Sequence, residues 1–152
     1  MIKVGLESKK ILKYFFVFLF MKIINGYIFN YLNVVFFKLN NDQFDKISEN
    51  EFFYIAIFFA PLIETLIFQL FLYRFLKLLK IKNTYIIILI MSLAFSQAHW
   101  YHWLYVVAAF VNALLLNTFY LKVYKLKNEF IAVLLTIILH SSYNLYGCLF
   151  VR

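Results

Sequence analysis

Glu64, His99 and His140 are the residues of this sequence whose side chains are best suited to do chemistry. A carboxylate beside an imidazole can orient a water molecule and take its proton. A second imidazole and an amide donor can then hold the oxyanion that forms when that water attacks a carbonyl. Asn144 offers such an amide, four residues after His140 and therefore on the same helical face. Phe95 stands in the same relation to His99, and Glu64 opens a polar stripe that continues through Thr65 and Gln69. The set suits peptide hydrolysis without a covalent intermediate. No serine or cysteine stands in a nucleophile motif, and the sole cysteine, Cys148, lies about 12 Å along the helix from His140. A mechanism without a cofactor is expected. Zinc held by Glu64, His99 and His140 is the runner-up, since two imidazoles and a carboxylate leave an open metal position. Against zinc, the spacing is not the His-Glu-x-x-His of helical zinc proteases.

These side chains are set in apolar sequence, where a central charge costs about 2.5 to 3.5 kcal/mol to insert into a bilayer. The chain of 152 residues is 65% hydrophobic and only 14% charged, against roughly 45 to 50% apolar for a soluble domain. A water-facing surface cannot be built from that composition, so a lipid bilayer is the expected solvent. The apolar runs cover residues 11–37, 52–79, 84–99, 103–121 and 130–151, which predicts an all-α, polytopic bundle of about five spans. The net charge of +8 is gathered in short clusters between the runs, a pattern that fits membrane edges and excludes a nucleic-acid groove.

The first run is interrupted by Lys22, Asn25 and Gly26, so residues 1–51 are read as a membrane helix, or an interfacial helix plus a span, followed by a polar connection. That connection, residues 40–51, carries Asp42, Asp45, Glu49 and Glu51 against Lys46 alone, whereas the connections after the second and fourth runs are basic, with Arg74, Lys77, Lys80 and Lys82 in one and Lys122, Lys125 and Lys127 in the other. With the basic amino terminus, the alternation places the start of the chain in the cytoplasm. The amino terminus mimics a signal peptide but lacks a small-residue cleavage site, so an uncleaved first span is expected. Trp100, Tyr101, His102 and Trp103 read as an interfacial belt, and Asn112 and Asn117 as helix-packing groups, with a place at the border of the cavity as the alternative for either.

Counting helical rise from the basic cluster at each span's end sets Glu64 at roughly 15 Å, His140 at roughly 20 Å and His99 at roughly 25 Å. Three helices thus bring an acid and two bases to neighbouring layers. Pro61, three residues before Glu64, is expected to weaken the local backbone ladder.

At these residues the chain resembles the CPBP family, the intramembrane CAAX-protease and bacteriocin-processing proteins related to the Ras-converting endopeptidase. That family carries Glu-Glu-x-x-x-Arg, often after Ala-Pro, then Phe-x-x-x-His, then His-x-x-x-Asn or Asp. Ala60, Pro61 and Glu64, then Phe95 and His99, then His140 and Asn144 match in order. Thr65 stands at the second glutamate and Gln69 at the arginine. The resemblance implies an intramembrane endopeptidase of a bacterial cytoplasmic membrane with residues 52–152 as its catalytic core and a peptide or protein as substrate. It further implies water activation by Glu64 and His99 and oxyanion stabilisation by His140 and Asn144. The altered first motif is the best support for the other class of reading, a silenced membrane partner of immunity or scaffold type.

Overall fold

The computed structural model describes residues 2–39 and 48–150 of the chain, all in helices and their short connections. Helix α1 runs over Ile2–Leu32 and continues through a wider π turn, Asn33–Phe37. Helix α2 covers Glu49–Leu78, α3 Thr84–Gln97, α4 Trp103–Leu126 and α5 Glu129–Phe150. All but α3 are long and apolar enough to cross a membrane. With 14 residues, α3 reaches about 21 Å, short of a hydrocarbon core of about 30 Å. It stops before His99 because the chain turns there into the Trp100–Trp103 segment, so the third apolar run is a shorter element than a full span.

Local chemistry starts and stops these helices. Ser48 and Glu51 form a reciprocal capping box at the head of α2. Asn83 accepts the Tyr85 and Ile86 amides to open α3, and Asn128 accepts the Ile131 amide in the first turn of α5. His102 caps α4: its Nδ1 accepts the Tyr105 N–H at 3.1 Å. Burial lowers the His102 pKa below its usual value, which favours the neutral ring that this cap requires.

The first apolar run forms one continuous helix through Lys22, Asn25 and Gly26. Its polar residues face protein instead of breaking it. Asn25 donates to the Ala108 carbonyl of α4 at 3.1 Å, and Lys22 and Asn25 are both buried. Gly26 allows a close approach of α1 and α5, because a Cβ there would lie 2.7 Å from the Tyr143 hydroxyl oxygen and displace that side chain.

Helix α4 is the centre of the bundle, packed against α1, α3 and α5, while α2 lies against α5 and α3. Leu116, Phe119, Tyr120 and Val123 of α4 are fully buried with Met91 of α3 and Leu139 of α5. Phe15 and Phe18 of α1 meet Phe119 edge-on at 6.2 and 5.9 Å. The outer surface is strongly apolar, with Phe20, Tyr27, Phe58, Phe71 and Phe75 each more than half exposed, as befits a bilayer contact. Ion pairs gather at one end: Arg74 with Glu129, and Lys127 with Glu7 at 3.1 Å. They hold the start of α1, the end of α2 and the α4–α5 connection on one side. Asp42, Asp45 and Lys46 lie outside the described residues.

Candidate active site

Pro61 shapes the segment that carries Glu64. Around it α2 widens into two π turns, Ile55–Phe59 and Thr65–Phe71. The Ala60 N–H reaches back five residues to the Ile55 carbonyl. In that register the Ala56 carbonyl needs an N–H from residue 61, and proline has none. The orphaned carbonyl is taken by Asn144, whose Nδ2 donates to it at 2.8 Å. The weakened ladder expected from Pro61 is therefore repaired by a side chain of α5, which also ties α5 to α2 close to Glu64.

Glu64, His99 and His140 converge on one point. Glu64 Oε2 lies 3.6 Å from His99 Nε2 and 3.7 Å from His140 Nε2. That carboxylate oxygen is buried with no hydrogen-bond partner. His99 Nδ1 lies 2.8 Å from the Phe95 carbonyl. A carbonyl only accepts, so Nδ1 carries the proton and the lone pair of the neutral ring is on Nε2, facing Glu64. Phe95 stacks on His99 with centroids 4.4 Å apart and planes at 18°, and meets Phe68 edge-on at 5.4 Å. Backbone and aromatic ring together fix the imidazole from two sides.

His140 is 5% exposed and its Nδ1 is buried without a hydrogen bond. A buried lone pair is tolerated more readily than a buried N–H, so the proton belongs on Nε2, the atom directed at Glu64. One turn further on, Asn144 spends one amide hydrogen on Ala56 and keeps a second. All four residues line a cavity of about 510 Å³ together with Phe95.

Thr65 and Gln69 are fully buried and do not line this cavity. Gln69 Nε2 donates to Asn117 Oδ1 at 2.8 Å, Asn117 Nδ2 to Ser92 Oγ at 2.9 Å, and Ser92 Oγ to the Ile88 carbonyl at 2.7 Å. The stripe of α2 thus divides: Glu64 faces the cavity and Gln69 fastens α2 to α4 and α3. Asn117 is a packing group as expected, whereas Asn112 borders the cavity and donates to the Tyr143 hydroxyl at 3.1 Å. His102 also lines the cavity, and so does Cys148.

The sequence reading missed Lys22 and Tyr143. Both line the cavity, and the Lys22 ammonium lies 4.7 Å from the centre of the Tyr143 ring. The signal for Lys22 was available: a lysine deep in an apolar run merits the same suspicion as Glu64. Tyr143 carried no such signal, one of 12 tyrosines in an aromatic-rich chain.

Among the described residues, no group of three or more His, Cys, Asp or Glu side chains is arranged to hold a metal ion. Compared with known families, residues 48–146 match the type II CAAX prenyl endopeptidase Rce1-like family. The chain has no match among curated proteins or solved structures.

Proposed function

The chain belongs to the Rce1-like type II CAAX prenyl endopeptidase family, and on that premise we propose that it is an intramembrane endopeptidase in which Glu64 and His99 activate the attacking water. Membership supports peptide hydrolysis within the membrane in general, and four apolar helices long enough to cross a bilayer support the integral setting. The observation that carries the finer reading is the convergence of one buried carboxylate oxygen on two imidazole nitrogens from separate helices.

A water seated between Glu64 Oε2 and His99 Nε2 gives its proton to Glu64, and its oxygen forms the new bond to the scissile carbonyl carbon. The carbonyl oxygen takes up the negative charge, within reach of donors on His140 Nε2 and the second amide hydrogen of Asn144. As the tetrahedral species collapses, the C–N bond breaks and Glu64 returns the proton to the leaving amine. No group of the chain is consumed. The altered first motif leaves Glu64, His99, His140 and Asn144 together in the cavity, which supports an active enzyme over a silenced one.

Zinc on the same three side chains is the competing mechanism, and one experiment separates the two. The purified protein in lipid is given a quenched peptide library, with Glu64→Gln and a metal chelator in parallel. Cleavage retained with chelator and lost in Glu64→Gln is the expected result. Normal turnover by Glu64→Gln sinks the proposed mechanism, and loss of wild-type activity to chelator transfers it to the metal.

A further inference from the structure

The setting of Lys22 is unusual for a lysine in a membrane helix. Long cationic side chains in such helices normally extend to the interface and keep the charge in water. Lys22 does not, being 1% exposed in the interior of the bundle. Its ammonium rests over the ring of Tyr143, which lies between His140 and Asn144 on α5. The hydroxyl of that ring accepts the Asn112 amide and lies in the space that a side chain at Gly26 would enter. Lys22 and Glu64 line the same cavity, from α1 and α2. Lys22 is the only lysine or arginine among the described residues that line the cavity. It also lies on α1, outside residues 48–146 that match the family.

We propose that Lys22 is the built-in cation of this site, supplied by α1 to balance the Glu64 carboxylate at rest and the oxyanion during peptide attack. The role rests on the hydrolytic reading above for its second half. The first half stands on the burial of Lys22 and on the cavity it shares with Glu64. Within the first motif the only charge near the cavity is Glu64, because Gln69 and Thr65 are neutral and turned elsewhere. A carboxylate held in a low-dielectric cavity without a compensating charge is strongly disfavoured. The ammonium provides that charge from a different helix. When Glu64 accepts the proton of water, the negative charge passes to the substrate oxygen, and a fixed cation nearby serves both states without moving. Lys22 is on this account a charge-balancing residue that acts across the cavity.

The test is a double-variant cycle in lipid nanodiscs with two readouts. Lys22→Met keeps the length and apolar stem while removing the charge, and Lys22→Arg keeps the charge. Thermal unfolding is followed for wild type, Lys22→Met, Glu64→Gln and the double variant. Lys22→Met leaves Glu64 uncompensated and is expected to lower the Tm by on the order of 5 °C or more, with at least half of that loss recovered in the Glu64→Gln background. An equal loss in both backgrounds overturns the pairing. On a cleaved library peptide, kcat of Lys22→Met is expected to fall about 100-fold with KM little changed, and Lys22→Arg to recover part of it. Turnover of Lys22→Met within twofold of wild type overturns the catalytic half. If Glu64→Gln itself turns over normally, the hydrolytic mechanism fails, whereas the unfolding cycle still decides whether Lys22 and Glu64 are paired.

Discussion

At the scale of single residues, the division of labour along α2 is set by which neighbour each polar side chain meets. Glu64 meets two imidazoles, and Gln69, just over one turn later, meets the Asn117 amide. Gln69→Leu is therefore expected to lower stability by about 1–3 kcal/mol, because it leaves Asn117 Oδ1 buried without its donor. The same variant is expected to leave the cavity's kcat/KM for a cleaved peptide within about threefold of wild type, as Gln69 does not line it. Unfolding in lipid and peptide kinetics on one preparation check both halves, and a collapse of kcat/KM at unchanged stability contradicts this assignment. Glu64, His99 and His140 stood out in the sequence because each is expensive in hydrocarbon unless partnered. Lys22 obeys the same rule but was read as an interruption of its span, since its partner ring lies over a hundred positions away in sequence. That Thr65 and Gln69 leave the cavity was not legible either. Which neighbour Gln69 meets is decided by Asn117, on a helix 48 positions later.

At the scale of elements, the five helices follow closely from apolar runs and from cap residues at their heads. The two π turns of α2 do not, because Pro61 states only that a donor is missing. Where the freed carbonyl finds a partner is decided by Asn144 on a helix more than eighty residues later. The cap of α4 carries a pH dependence of its own. Neutral His102 accepts the Tyr105 amide, whereas a protonated ring presents N–H at both nitrogens to a helix head that already repels cations. Burial holds its folded pKa below the ordinary 6.5, so on acidification the unfolded chain binds this proton first. The contribution to stability is intact above about 6.5 and is lost as pH falls below that value toward the folded pKa. His102→Asn keeps a good cap without a titrating group. The drop in Tm between pH 7.5 and 5.5 is expected to be smaller in this variant than in wild type, and an equal drop in both removes His102 as the cause.

At the scale of the whole molecule, the site is a property of the bundle and exceeds the matched region. Gly26, Phe29, Asn30 and Asn33 join Lys22 in lining the cavity from α1. The same helix packs along α4 and is pinned at its start by Lys127 on Glu7. Without α1 the cavity loses a wall and the only ammonium among the described residues that line it. Residues 48–152 produced alone are therefore expected to insert, since α2, α4 and α5 are each apolar enough to span, but to show no cleavage of a peptide that the full chain cuts. Membrane helices inserted separately can associate afterwards by packing and interhelical hydrogen bonds, and α1 brings both, through Phe15, Phe18 and Asn25. Co-expression of residues 1–39 as a second polypeptide is accordingly expected to restore measurable turnover, and the same segment carrying Lys22→Met to bind the core without restoring it. Co-purification reports association and peptide cleavage reports the completed site. Full activity from residues 48–152 alone contradicts the role of α1, whereas rescue by the Lys22→Met segment reduces that role to a wall that seals the cavity from lipid.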